Sequence, residues 1–395
     1  MVIPVGDVPN ERGIPIANWV LIIANVAVFV LLTMPLAAER PPPGDPVLAR
    51  YVDVLRHQLG PRAASEAASQ ASQYDLFVFT HAFRPAAPSV TGLMLSMFLH
   101  AGFAHLFGNM LFLWIYGDNV EHRLGAIRYV LAYLATGIAA TVFHTLGDPT
   151  SELPMIGASG AISGILGLYF VWFPRNRVRL LVLVPPIFFR VFEIGSRRVL
   201  GGDLVLDNFL PYVIDPTGGG VAHGAHIGGF LAGAALALVA RRRSVVVPPP
   251  DAKDIQAGAV PDETVVSPAI AAGRLEDAAG SYFALPADAT RRILDPHEAV
   301  TLADWLRDHG RVQAALTALR RAVRDFPNAP GIALVHARLG EILLEDLDQP
   351  AMAYQHFMAA REQGPDPEAE SIARRGLAEI EARQKRQIGV VHRRA

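Results

Sequence analysis

Residues 155–170, "MIGASGAISGILGLYF", decide how this chain is read. The stretch has the apolar run of a membrane-spanning helix, yet serines, glycines and alanines crowd its start. Ser159 stands between Ala158 and Gly160. Small residues in a span usually serve helix packing, because they let backbones approach closely in lipid. The other explanation is that Ser159 is a nucleophile that needs space around it. The rest of the chain has to separate the two.

A length of 395 residues predicts two or three domains. The formal net charge of −2 offers no basic field, so no nucleic-acid partner is expected. Cysteine is absent, which excludes disulfides, thiolate metal sites and cysteine nucleophiles together. A mean hydropathy of +0.29 averages a divided chain. Residues 1–243 carry repeated apolar runs, and residues 244–395 are soluble in character. The opening "MVIPVGDVPNERG" has neither a basic leader nor a small-residue cleavage site, so the first apolar run reads as a retained span.

A bilayer core of about 30 Å takes roughly 20 apolar helical residues. Segments 16–35, 94–117, 126–146, 156–173 and 221–240 meet that requirement. Between the last two lie 178–194, with Pro185, Pro186, Arg190 and Glu193, and 198–214, with Asp203, Asp207 and Asn208. Arginines follow the second, fourth and last spans, and basic loops face the cytoplasm. One crossing between 180 and 220 satisfies all three clusters. Segment 178–194 is then interfacial or re-entrant, 198–214 crosses, and six spans leave both termini cytoplasmic. Residues 1–15 form a cytoplasmic N-terminus and 36–90 a long external loop with helical periodicity in places.

Polar residues inside spans are costly and therefore functional candidates. His105 and Asn109, in "HLFGN", are spaced i and i+4 and share one helix face. With a single crossing between them, Ser159 and His226 lie at similar depth near the external face. A serine hydroxyl attacks only when a nearby base takes its proton, and histidine suits that task. His105, Asn109 and the Ser159 backbone N–H can stabilise the resulting oxyanion. Gly157 and Gly160 leave room for a substrate backbone. No acid is placed to orient His226, so a two-residue dyad is expected.

Four motifs, "GASG" (157–160), "AHIGGFLAG" (225–233), "HAGFAHLFGN" (100–109) and "EHR" (121–123), together resemble the rhomboid family of intramembrane serine proteases. The resemblance covers roughly residues 90–240. It implies Ser159 as nucleophile, His226 as base, and His105 and Asn109 as oxyanion residues. Glu121 and Arg123 match the motif that braces the loop after span two. Gly229 and Gly233 match the small face that brings span six against span four. Position 163 holds serine where many members carry an aromatic against the base. His223, in "VAHGAH", is a rival base, but the pattern Ala-His-x-x-Gly selects His226. No metal or cofactor is implied.

Other membrane chemistries lack their signatures. "HEAVT" at 297–301 misses the second histidine of a zinc site, and "IYGDN" misses the first glycine of an aspartyl protease motif. The hydrolase elbow Gly-x-Ser-x-Gly fails at Ala161. No inverted repeat points to a transporter.

The second half begins with a Pro-rich linker, 244–270. Gly273, Ala278 and Tyr282 then recur 37 places later as Gly310, Ala315 and Leu319. A further 38 places lead from Ala315, Leu319, Ala322 and Pro327 to Ala353, Phe357, Ala360 and Pro365. Residues 271–385 thus resemble tetratricopeptide repeats. They serve either as a cytoplasmic surface for a peptide or protein partner or as a stabilising domain. Residues 386–395 read as a basic disordered tail.

The fold class expected is all-α: a polytopic membrane protein with a six-helix rhomboid-like domain (16–243) and a soluble helical repeat domain. The function implied is an intramembrane serine endopeptidase acting on transmembrane segments of other proteins in the lipid bilayer of a bacterial inner membrane. The alternative is a catalytically inactive relative that binds membrane helices and works through its repeat domain.

Overall fold

The computed structural model describes all residues except 1, 12, 185–187, 215–221, 247–248, 253–254, 256–260, 287–288, 365 and 393–395. Two units result. The first comprises residues 1–7, 13–172 and 178–237; the second comprises 8–12, 173–177 and 238–395.

Helices of the first unit occupy Ile16–Ala38, Phe103–Leu124, Ala126–Gly147, Ser159–Trp172, 196–214 and the part of His223–Val246 up to Ala237. Among the described residues, Ile16–Ala38, Ala126–Gly147 and His223–Ala240 are long and apolar enough to cross a membrane. The others fall short for visible reasons. Phe103–Leu124 ends in the polar run Asp118–Arg123, 196–214 carries Asp203, Asp207 and Asn208, and Ser159–Trp172 has only 14 residues. The second helix starts at Phe103 rather than 94. Ser89 caps a separate helix, Val90–Ser96, by accepting from the Gly92 N–H, and the chain breaks before Gly102.

Ser159–Trp172 is the central helix. It is apolar on every side, and such a helix is stable only when surrounded. Ile165, Leu168 and Tyr169 are fully buried, and most of the remaining residues are buried too. Neighbouring helices Phe103–Leu124 and Ala126–Gly147 pack against it.

Segment 178–194, read from sequence as interfacial or re-entrant, contributes strands, and the first unit is not purely helical. Arg177–Val184 (β2) and Phe188–Gly195 (β3) join Val2–Val8 (β1) in a three-stranded sheet of order β1-β2-β3. The short, valine-rich apolar run of "RVRLLVLV" suits a strand, and Arg179 on β2 pairs with Glu193 on β3 at 3.3 Å. Residues Val2–Val8 of the N-terminal segment are therefore tied down by this sheet. The stretch 36–90 is also more ordered than a loop. It forms helices Pro46–Leu59, Pro61–Gln70 and Gln73–His81, the last opened by a Ser72–Asp75 capping box. Tyr74, Val78, Ala82 and Leu99 make a buried cluster against Leu32, Leu36 and Ile156.

The second unit is a series of antiparallel helix pairs: Glu263–Ala271 with Leu275–Ala284, Pro296–Asp308 with Val312–Asp325, and Ile332–Glu341 with Pro350–Glu362. Pro367–His392 follows. Ala278, Ala315 and Ala353 are fully buried at equivalent places, as are Leu319 and Phe357. Pro327 follows the second pair, while Pro365 lies outside the described residues. Two boundaries differ from the sequence reading. Asp262 caps Glu263–Ala271 inside the supposed linker, burying Val266 and Ala269. The final helix runs through His392, into the supposed tail.

The turns of the first two pairs share one conformation. Arg274 N–H bonds to Ala269 O and Arg311 N–H to Leu306 O, the longer bonds of the helix-ending Schellman motif. The third turn is one residue wider, with Gln349 N–H bonding to Leu343 O after the π-helical Ile342–Asp346. The residue before each donor has positive φ: Gly273 at 71°, Gly310 at 73° and Asp348 at 47°.

Segments 8–12 and 173–177 are built into this second unit. Buried Asn176 donates to Pro9 O at 3.0 Å and accepts from Gln355 Nε2 at 2.7 Å. Gln355 Oε1 accepts from Arg175 N–H, and Arg175 pairs with Glu362 at 2.7 Å. Glu11 accepts from Met352 N–H at the start of Pro350–Glu362, a helix whose own N-cap makes no side-chain bond.

A Cβ added at Gly310 meets open space, so only its backbone conformation resists substitution. Gly310→Ala should cost about 1–2 kcal/mol, the penalty of a left-handed L-residue, and Gly310→Asn less. Thermal unfolding of the full chain, followed by circular dichroism, measures both.

Candidate active site

Ser159 is the first residue of its helix, and the Ala158 carbonyl accepts from Ile162 N–H. As a first-turn residue it has a backbone N–H without an intrahelical acceptor. The approach to it is set by Gly157, at φ 125°, whose N–H is held by Ser96 O at 2.9 Å. A side chain at 157 would be strained, and its Cβ would come within 2.9 Å of His105 Nε2.

Glycines then bring a second helix onto this one. A Cβ at Gly229 would strike the carbonyl oxygen of Gly160, and one at Gly233 the carbonyl oxygen of Gly164. From the opposite side, a Cβ at Gly167 would strike Phe230 O. Backbone therefore lies on backbone along three successive turns. Trp172 closes the far end by donating from its indole to Ala237 O at 3.2 Å. This contact puts His226 beside Ser159, with His226 Nε2 at 2.7 Å from Ser159 Oγ.

The other ring nitrogen is also held. His226 Nδ1 lies 2.6 Å from Asn208 Oδ1. Asn208 is buried in a π-helical stretch, Asp203–Phe209, and its amide donates to Asp203 O at 3.1 Å and Asp203 Oδ2 at 3.4 Å. The sequence predicts no acid behind His226, and Asn208 stands there only as a polar residue that interrupts an apolar run. The available signal was its polarity within an apolar run, the same one that marked Ser159 and His105.

His105 and Asn109 sit one turn apart on Phe103–Leu124. His105 Nδ1 accepts from Ala101 N–H at 3.4 Å, and its ring meets His100 edge to face at 5.1 Å. Asn109 is buried, and its Nδ2 makes no hydrogen bond. A buried donor with nothing to donate to fits an anion that exists only during a reaction. His223 stands 6.4 Å from the His226 ring, and its Nδ1 is buried without a partner.

Glu121 and Arg123 each reach a neighbouring helix. Glu121 accepts from Ala17 N–H at 3.0 Å and Asn18 N–H at 2.7 Å. It thus caps Ile16–Val28, whose own N-cap, Pro15, makes no side-chain bond. A carboxylate there satisfies two orphan donors and opposes the helix dipole. The Arg123 guanidinium lies over the Trp172 ring at 4.5 Å. Nearby, buried Asp7 accepts from Asn119 Nδ2 at 2.8 Å and from Tyr169 of the Ser159 helix.

Among the described residues no group of three His, Cys, Asp or Glu side chains is arranged to hold a metal ion.

Residues 87–243 match the Rhomboid domain family model. The chain is 37% identical over 147 residues to rhomboid protease GluP of Bacillus subtilis, covering 37% of this chain and 26% of that protein. It is 36% identical over 95 residues to the mitochondrial rhomboid protein 1 of Saccharomyces cerevisiae, covering 23% and 28%. It is 32% identical over 166 residues to rhomboid-type serine protease 2 of Emericella nidulans, covering 40% and 28%. The chain thus spans little more than a quarter of the length of these relatives. The match to that domain model and the apolar helices together support an integral membrane protein.

Glu121→Ala should destabilise the first unit by about 2–3 kcal/mol, because it leaves two buried N–H groups without a charged acceptor. Glu121→Gln keeps one acceptor and should lose about half as much. Melting temperatures in detergent check the order.

Proposed function

We propose that the chain is an intramembrane serine endopeptidase whose nucleophile is Ser159 and whose general base is His226. The observation that carries this reading is the 2.7 Å contact between Ser159 Oγ and His226 Nε2, made where two helix backbones touch. His226 Nε2 takes the hydroxyl proton as Oγ bonds to the substrate carbonyl carbon. The oxyanion that forms is met by Asn109 Nδ2, His105 and the Ser159 N–H. The same proton passes to the leaving amine as the C–N bond breaks. Water then attacks the acyl-enzyme and gives its proton to His226, which returns it to Ser159 Oγ as the acyl C–Oγ bond breaks. Side chains and water suffice for every step.

Depth follows from helix length. Ser159–Trp172 has 14 residues, or about 21 Å, against a core of about 30 Å. With Trp172 at the cytoplasmic boundary, Ser159 lies below the outer surface, within reach of a peptide bond in another protein's transmembrane segment. Small residues around Ser159 favour unwound substrates with small side chains at the cleaved position.

The topology that goes with this reading has six crossings and both termini in the cytoplasm, in a bacterial inner membrane. The second unit is then a cytoplasmic, tetratricopeptide-like domain that binds a peptide or protein partner.

A fluorophosphonate probe tests the chemistry. The wild-type protein should label, Ser159→Ala should not, and His226→Ala should label at least about 100-fold more slowly. Equal labelling of wild type and Ser159→Ala refutes the enzyme. A wild type that does not label supports a catalytically silent helix-binding protein instead.

A further inference from the structure

We infer that Asn208 is a positioning residue that holds His226 in the tautomer and ring orientation needed to take a proton from Ser159, making the site a Ser159–His226–Asn208 relay. This rests on the reading of Ser159 as nucleophile.

Geometry supplies the argument. A neutral imidazole carries one proton, and its two nitrogens then have opposite roles. Nε2 has to be the acceptor if it is to receive the Ser159 proton, so Nδ1 has to carry the hydrogen. An acceptor facing Nδ1 enforces that choice, and Asn208 Oδ1 lies 2.6 Å away.

An asparagine side chain has a donor end as well, and the wrong end would reverse the tautomer. Here the orientation is fixed by the second partner. Asn208 Nδ2 faces two acceptors, Asp203 O and Asp203 Oδ2, at 3.1 and 3.4 Å. Swapping the amide would set oxygen against two oxygens and present N–H groups to Nδ1. Asp203 therefore selects the amide orientation, and the amide selects the tautomer.

Local backbone explains why these residues meet. Asp203–Phe209 is π-helical, in which backbone bonds run from residue i to i−5. Asn208 stands five residues after Asp203, so its side chain folds back onto the carbonyl of the residue one wide turn earlier. Asn208 is 7% exposed, and burial keeps water from competing for Nδ1. An amide in place of a carboxylate orients the ring without adding a buried charge beside it. The aromatic that position 163 lacks is thus not needed to hold the ring.

The test compares Asn208→Leu, Asn208→Asp and Asp203→Ala in the full-length protein. The readout is fluorophosphonate inactivation, resolved into its maximal rate and its half-saturating concentration. Asn208→Leu keeps the volume and loses the acceptor. Its maximal rate should fall about tenfold to a hundredfold with the half-saturating concentration unchanged. Asn208→Asp restores an acceptor and should recover most of the rate. Asp203→Ala removes one of two anchors and should show a smaller loss. A second readout is the 15N signal of the His226 ring, assigned by comparison with His226→Gln. It should report Nδ1–H in the wild type and lose that preference in Asn208→Leu. If Asn208→Leu does not fold, Asn208→Ala takes its place. Wild-type inactivation rates in these variants while labelling stays Ser159-dependent, or an Nε2–H tautomer in the wild type, overturns the inference alone. Absence of Ser159-dependent labelling in the wild type instead refutes the proposed function, and the 15N signal still decides whether Asn208 sets the tautomer.

Discussion

The first unit depends on carbonyl oxygens of one helix lying where side chains of another would normally be. Gly160 and Gly164 meet Gly229 and Gly233, and Gly167 meets Phe230 O, so two backbones approach without side chains between them. In lipid, burial of apolar surface gives little net drive to associate helices, and close packing has to supply it. Many short-range dispersion contacts, with weak Cα–H···O contacts, do so. The same closeness sets His226 beside Ser159. The two stand at one end of this seam, so any side chain wedged into it would part them. Stability and the proposed chemistry thus draw on one set of glycines.

Remote glutamates provide a second organising device. Ile16–Val28 and Pro350–Glu362 both begin without a side-chain cap of their own. Glu121 serves the first and Glu11 the second, each from far along the chain. A local cap stabilises a helix wherever it forms, whereas a distant one rewards the helix only in its folded place. These bonds therefore specify arrangement as well as stability. Asp7 acts similarly by joining the first strand to Tyr169 on the central helix.

Sequence disclosed what has a period or a local signature. Apolar runs marked the helices, and the recurrence of Gly273 at Gly310 marked the paired turns. The third turn escaped because Asp348 fills the left-handed position that glycine fills in the other two. Ser159, His226, His105 and Asn109 were legible because a polar group in an apolar run is costly. Asn208 shares that property, yet its partner is 18 residues away across a stretch with no motif. The sheet was missed for a related reason. β1 lies more than 160 residues before β2, and nothing in "VIPVGDV" announces its partner. Long-range pairing leaves little trace in neighbouring letters.

The second unit is assembled from three pieces of chain, because 8–12 and 173–177 belong to it along with everything after 237. A cut at the proline-rich junction would consequently not yield two self-sufficient fragments. The upstream product would keep Asn176 and Glu11 but lose Gln355 and Met352, exposing an amide and a carboxylate selected for company. The downstream product would begin the Pro350 helix with a bare amino end. Gain or loss of such an appendage would therefore have to edit the chain around 8–11 and 173–177 in step with it.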